Sequence, residues 1–134
     1  MCMSLQICIM TPDQIFWNEP ADEIILPTNT GQMGVLANHA PLISALDIGV
    51  MLVRTQNTWS SIALMGGFAL VQQNQVTVLV NEAESASTIN KEEAEAAFNE
   101  AKLQFEQAEG QKQKVEANFA FKRARARYQL VQES

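Results

Sequence analysis

The spacing of the apolar residues changes near residue 88, and this change constrains the fold more than any other feature of the sequence. In residues 5–10 and 76–80, branched apolar side chains alternate with other residues in short runs. A period of two is typical of a strand with one buried face. After residue 88, alanine and aromatic residues recur every three or four positions, which is the spacing of an amphipathic helix. We therefore predict an α+β chain with strands first and helices second.

The first part, residues 1–87, is predicted to be an antiparallel β-sandwich or a flattened barrel. Its short apolar runs are separated by turn-forming sequences such as Asn29-Thr30-Gly31 and Gln73-Asn74. Many short strands separated in this way are typical of sandwiches and barrels. No long helical pattern interrupts the strands, so a parallel α/β sheet is not expected.

The second part, residues 88–134, is predicted to be an antiparallel hairpin of two helices. Asn90 and Glu93 have the spacing of a capping box at the start of the first helix. Gly110 interrupts the helical pattern and separates two helices of about twenty residues. Much of the predicted seam is alanine, which buries little area. We therefore expect a weakly held hairpin that needs the sandwich or a partner to lie on.

One predicted strand, residues 48–53, has apolar side chains on both faces. Ile48, Val50 and Leu52 share one face, and Met51 and Val53 share the other. An antiparallel strand with one face in water should carry polar residues on that face. We therefore expect an outer face of the sandwich to be covered by another chain or by the hairpin, unless the core is closed and irregular.

Composition argues against several classes of protein. The net charge of −6 does not suit a dedicated nucleic-acid binder. The longest uncharged apolar stretch has about ten residues, half of what a spanning helix needs. The start resembles neither a signal peptide nor a transit segment. Cys2 and Cys8 suit neither a disulfide scaffold nor a zinc motif, so a reducing compartment is the simpler expectation.

The sequence contains no recognisable catalytic pattern. His39 is the only histidine, which argues against a histidine-rich metal site. Gly66-Gly67 is followed by phenylalanine rather than lysine, so a phosphate-binding loop is not expected. We expect no enzyme activity in the chain itself, no metal and no cofactor. For His39, a loop or contact role is the simpler interpretation.

Residues 122–127 form a basic segment with the sequence Lys-Arg-Ala-Arg-Ala-Arg. One interpretation is the solvated face of a helix that lies beside an acidic helix. Another is a site for an acidic protein surface or a nucleotide phosphate. Arg123 and Arg127 support the second interpretation, because a spacing of four residues puts both guanidinium groups on one helical face.

Several segments carry a resemblance to a known family. Residues 22–48 contain Gly31, Gly34 and the sequence His-Ala-Pro, and residues 63–69 read Ala-Leu-Met-Gly-Gly-Phe-Ala. Together with residues 76–84, they resemble the epsilon subunits of F-type ATP synthases. The resemblance spans residues 4 to about 131. It is closest to the photosynthetic form, with the chloroplast type favoured over the cyanobacterial type.

The resemblance implies a sandwich of about ten strands and a place in the central rotor stalk. Residues 1–87 would bind the gamma subunit and the c-ring, and residues 88–134 would form a regulatory hairpin. The candidate contacts on the gamma and c-ring side are Gln32, His39, Met51 and Val53. The candidate contacts with the acidic face of a catalytic beta subunit, in the alpha/beta assembly, are Lys122, Arg123, Arg125 and Arg127.

The resemblance also implies a function and a location. The protein would help couple proton flow to ATP synthesis, and its hairpin would inhibit ATP hydrolysis. It would lie peripherally at the thylakoid membrane, on the stromal side in a chloroplast or the cytoplasmic side in a cyanobacterium. The residues alone leave open a free-standing sandwich adaptor with an interaction hairpin, and also a nucleotide-binding sensor.

One departure from the family bears on nucleotide binding. Some bacterial members bind ATP through an Ile-Asp-x-x-Arg-Ala motif. Here Asn90 stands in place of the acid and Glu93 in place of the arginine. A glutamate at that position would repel phosphate. Regulatory ATP binding is therefore expected to be weak or absent.

Overall fold

The computed structural model describes residues 4–132, which form eight strands, a short 3-10 turn and two helices. The strands are β1 (Leu5–Met10), β2 (Ile15–Ala21), β3 (Glu23–Thr28), β4 (Gly31–Leu36), β5 (Leu42–Thr55), β6 (Thr58–Gln72), β7 (Gln75–Val80) and β8 (Ala83–Ser85). The 3-10 turn covers Ala86–Thr88, and the helices are α1 (Lys91–Gln107) and α2 (Gly110–Gln132). None of the helices within residues 4–132 combines the length and apolarity of a bilayer-spanning segment.

The strands follow one continuous path in the order β2-β1-β7-β6-β5-β3-β4, and β8 pairs with β6. Within the described residues, neighbours on this path are antiparallel except β1 and β7. Those two strands run parallel, with Gln6 opposite Gln75. Strands from both ends of the path contribute to one apolar core. The predicted fold class, a β-sandwich followed by a helical hairpin, is confirmed.

The two longest strands pass from one layer of the sandwich to the other. Residues 67–72 of β6 pair with β7, whereas residues 62–64 pair with β8. The crossing lies at Gly66 and Gly67, whose φ angles are 80° and 149°. Glycine adopts these angles without the steric cost that other residues incur. If β5 and β6 are each counted once in each layer, the eight described strands correspond to the predicted number of about ten.

Met51 and Val53 lie in the sandwich core, with exposed fractions of 0% and 1%. The sequence predicts these two residues as contacts with gamma or the c-ring, but their side chains are buried in this fold and are not exposed for such a contact. Ile48 and Val50 point to the opposite face of β5, where they pack with residues of the hairpin. The hairpin thus covers this outer face of the strand, which is one of the alternatives that the sequence leaves open.

The first helix begins where the sequence predicts it. The side chain of Asn90 accepts a hydrogen bond from the backbone N–H of Glu93 at 3.0 Å. This bond satisfies one of the backbone donors that a helix leaves unpaired at its start. The chain turns at residues 108–109, and Gly110 has a φ angle of 77°.

Aromatic rings hold the two helices together, in addition to the predicted alanines. Four rings, taken alternately from α1 and α2, stack along the seam with neighbouring centroids 5.1–5.6 Å apart. In spatial order they are Phe105, Phe121, Phe98 and Tyr128. Stacked aromatic pairs contribute about 0.5–1.5 kcal/mol beyond the area they bury. The seam is therefore stronger than alanine alone would make it.

Candidate functional site

The hairpin lies against the sandwich through a second apolar cluster. Leu130 of α2 is fully buried, and it packs in a cluster with Met65 of β6 and Ile48 of β5. Ala126 and Val131 extend this contact along the same helix. Burying a leucine contributes about 1.5–3 kcal/mol. This apolar cluster is therefore the main attachment of the hairpin in the folded arrangement.

A row of three ion pairs borders the apolar cluster in the described part of the chain. Lys122 Nζ lies 3.1 Å from Asp47 Oδ2. Arg123 Nη2 lies 2.7 Å from Glu82 Oε2, and Arg127 Nε lies 3.0 Å from Glu84 Oε2. All three cations belong to α2, and all three carboxylates belong to the sandwich or to its last segment. We call these six residues the ion-pair row.

The ion-pair row is partly exposed to solvent, which limits its strength. The most exposed pair, Arg123 with Glu82, has side chains 45% and 49% exposed. Such pairs are each worth about 0.2–1 kcal/mol, and salt screens them. The row therefore contributes less than the apolar cluster. An energy of this size can nevertheless shift an equilibrium between an attached and a detached hairpin when the two states have similar free energies.

Arg125 differs from its three basic neighbours. It is exposed, and its guanidinium carbon lies 5.3 Å from the centroid of the Phe121 ring. Arg125 and Gln129 line one side of a groove of about 440 Å³, and Gln32 at the start of β4 lines the other side. The structure therefore brings Arg125 and Gln32 to one groove, although the sequence assigns them to different partners.

His39 lies between β4 and β5 and is half-buried. Its Nδ1 atom is 2.7 Å from the backbone oxygen of Ala40. The preceding residue, Asn38, has a φ angle of 67°, and its backbone N–H donates to the Asn74 side chain at 2.6 Å. These contacts fix the loop that carries His39. No cluster of three histidine, cysteine or acidic residues suited to a metal occurs in residues 4–132.

One outer face of the sandwich is apolar and exposed. Ile43 is 73% exposed, Phe68 59% and Leu79 50%. Phe68 lies opposite Leu79 in the pairing of β6 with β7, which makes these two side chains neighbours. We call these three residues the outer apolar face. Such contiguous exposed apolar residues typically mark a contact with another macromolecule. None of them was among the predicted contact residues.

Sequence patterns give only part of this surface. The adjacent apolar residues Phe68 and Ala69 must point to opposite faces of a strand, so one of them had to lie outside the core.

Cys8 lies on β1, is half-buried and is a free thiol. Cys2 lies outside the described residues, so the expectation about this cysteine has no structural counterpart.

Comparisons with known proteins cover nearly the whole chain. The β-sandwich domain model of the ATP synthase delta/epsilon chain matches residues 4–86, and the long alpha-helix domain model matches residues 87–132. The chloroplastic ATP synthase epsilon chain of Tupiella akineta is 78% identical over 96% of this chain and 99% of its own length. The corresponding chain of Chlorella vulgaris is 72% identical over 98% of both chains.

A solved structure agrees with these relatives. A chain in the cryo-EM structure of the Euglena gracilis mitochondrial ATP synthase, described as OSCP/F1/c-ring, superposes with a TM-score of 0.81. It is 25% identical in sequence, and the match covers 92% of this chain and 78% of that one. A chain in the Tetrahymena thermophila enzyme, 17% identical with a TM-score of 0.59, shares the fold.

Proposed function

This chain belongs to the ATP synthase delta/epsilon chain family, and from that premise we propose that it is a rotor subunit of a chloroplast ATP synthase whose hairpin regulates ATP hydrolysis. It is an epsilon-type chain and is not the catalytic subunit. The observation that carries the regulatory part is the ion-pair row, which occupies three of the four basic side chains of residues 122–127. The same side chains are the candidate contacts with the beta subunit.

The sandwich, residues 1–87, is the anchor in this proposal. The outer apolar face suits the gamma subunit, because it is exposed in this chain and would be buried in a complex. Gln32 is exposed at the start of β4, next to the turn at Asn29-Thr30, and this end of the sandwich would face the c-ring. His39 remains a candidate for either contact, since its loop is held in place while its ring is half exposed.

The hairpin, residues 88–134, is the regulatory element. In the folded arrangement Lys122, Arg123 and Arg127 are paired with the sandwich, so they are not available to another chain. In an extended arrangement these cations and Arg125 would contact the acidic face of a beta subunit and hinder rotation. The apolar cluster is the main attachment of the hairpin, and the partly exposed ion pairs add little to it. In this proposal both arrangements are accessible.

Regulatory ATP binding is weak or absent in this proposal. Arg123 and Arg127 would have to give up Glu82 and Glu84 to bind phosphate. Those two carboxylates would also lie next to a bound phosphate and repel it. Asn90 and Glu93, which depart from the bacterial ATP-binding motif, also weaken ATP binding in this proposal. The side chain of Asn90 is already used as the N-cap of α1.

The relatives place this chain in the chloroplast. Within that compartment we propose a peripheral position on the stromal side of the thylakoid membrane. The chain would be held there by the rotor. Stripped membranes should bind the protein only when the rest of the synthase is present.

One experiment breaks the same ion pairs from either side. Replacing Glu82 and Glu84 by glutamine frees the arginines, whereas replacing Arg123 and Arg127 by glutamine removes them. Each full-length variant is added to an epsilon-depleted chloroplast catalytic complex, and ATP hydrolysis is measured. We expect the first variant to inhibit more strongly than the unchanged chain, and the second more weakly, by about two- to tenfold.

Glu19→Gln removes an exposed sandwich carboxylate outside the ion-pair row and should leave inhibition unchanged. If both double variants inhibit more strongly, the arginines restrain the hairpin but do not contact beta. If the unchanged chain does not bind the complex, the rotor function is rejected and the free-standing adaptor becomes the better interpretation.

A further inference from the structure

One stripe of α2 is buried at one end and exposed at the other. Val115, Phe119, Ala126 and Leu130 lie on a single helical face, given 3.6 residues per turn. Ala126 and Leu130 are 1% and 0% exposed against the sandwich. Val115 and Phe119 are 62% and 57% exposed. The stripe therefore extends beyond the part of α2 that packs on the sandwich.

The exposed end of this stripe lies next to the outer apolar face. Val115 and Phe119 line one side of a groove of about 490 Å³, and Phe68 and Ala45 line the other side. Phe68 is thus shared between the groove and the outer apolar face. A chain that docks on that face would therefore also reach the exposed end of α2.

The groove suits an uncharged occupant. Its charged lining residues are Asp47 and Lys122, and they are paired with each other. Its other polar side chains are the amides of Asn81 and Asn118. A charged side chain entering the groove would lose water without gaining an opposite charge. An aliphatic or aromatic side chain would fill it at no such cost.

We propose that the exposed end of α2 is a second contact for the rotor subunit that docks on the outer apolar face. This inference rests on the proposed function, which assigns that face to the gamma subunit. Such a subunit would touch the sandwich and the folded hairpin together. A ligand that makes more contacts with one conformation shifts the equilibrium toward it. The contacts that gamma makes with the exposed end of α2 therefore favour the folded hairpin.

The test uses full-length variants and the isolated gamma subunit as the probe. Phe119→Ser and Val115→Ser should each weaken binding by about three- to thirtyfold, because they remove exposed apolar contacts from the interface. Leu103→Ser is the matched control, since Leu103 is 56% exposed on α1 and does not line the groove. It should leave the affinity unchanged. Phe68→Ser tests whether gamma docks on the outer apolar face.

A second measurement follows the hairpin directly. Hydrogen exchange of residues 122–132 should slow when gamma binds the unchanged chain, and slow less when gamma binds Phe119→Ser. If Phe68→Ser weakens binding and Phe119→Ser does not, the second contact is rejected while the docking face stands. If neither weakens binding, the docking face itself is rejected. If gamma binding speeds exchange in α2, gamma draws the hairpin away and the proposal is overturned.

Discussion

The Nε atom of Arg127 lies 3.0 Å from Oε2 of Glu84, and this contact ties α2 to the last strand of the sandwich. One helical turn earlier, Arg123 pairs with Glu82. Residues four apart on a helix rise by about 6 Å, and residues two apart on an extended chain are separated by about 6.5 Å. The two spacings match, so both arginines reach their carboxylates without bending either element.

Salt should loosen the hairpin. Raising the ionic strength from about 0.01 M to 1 M shortens the screening length from about 30 Å to about 3 Å, which weakens partly exposed ion pairs. We expect faster hydrogen exchange in residues 122–132 at high salt, with little change in β1 and β7. The Glu82→Gln/Glu84→Gln variant should respond less to salt. An equal response in that variant would show that the ion-pair row does not set the salt dependence.

Leu130→Ala should detach the hairpin more effectively than any single charge change. Leu130 is fully buried between α2 and the sandwich, and such truncations cost about 2–5 kcal/mol. The expected result is loss of hydrogen-exchange protection throughout α2, while the core strands keep theirs. Leu103→Ala, at a 56% exposed position of α1, is the matched comparison and should change little. Similar effects of the two changes would contradict the assigned attachment.

Phe98→Leu should weaken the hairpin itself rather than its attachment. Phe98 stacks on both Phe121 and Tyr128, with centroids 5.6 and 5.1 Å away. Leucine keeps much of the apolar area but loses two ring contacts, each worth about 0.5–1.5 kcal/mol. We expect a lower melting temperature of the helical circular dichroism signal. Phe119→Leu alters a ring without a stacking partner among the described aromatic contacts, and it should not lower that temperature.

Gly67→Ala should destabilise the sandwich strongly. A Cβ atom at residue 67 would overlap the backbone oxygen of Leu79, and the φ angle of 149° already disfavours alanine. Backbone overlap adds to the usual conformational penalty, so we expect a loss above about 3 kcal/mol in urea unfolding. Gly31→Ala is the control, since its φ angle is 129° and nothing lies within 4 Å of its added atom. Its cost should stay within the conformational penalty alone, about 1–3 kcal/mol. Equal costs would mean that the overlap relaxes freely.

The sequence predicts those features that depend on local spacing. The start of α1 at Asn90 and the alternation in β1 and β7 need no knowledge of distant residues. The aromatic seam can also be predicted from the sequence, because Phe98 and Phe105 are seven residues apart, as are Phe121 and Tyr128. A seven-residue repeat returns to the same helical face.

Other features depend on residues far apart in the chain. Residues 48–53 are apolar on both faces, so alternation could not decide whether Met51 or Val50 faces the core. A shift of one residue exchanges the two faces of a strand. The partner of Lys122 could not be predicted either, because Asp47 lies 75 residues away. Local patterns carry no information about such a contact.

The parallel pairing of β1 with β7 has a consequence for synthesis on the ribosome. Gln6 cannot meet Gln75 until nearly all of the sandwich has left the exit tunnel. Pairing over such sequence separations is slow, because a long loop must close before any contact is gained. Until then, β1 can pair only with its hairpin neighbour β2, and its other edge is open to strands of other nascent chains. We therefore expect chaperone dependence to be concentrated in the interval before β7 emerges.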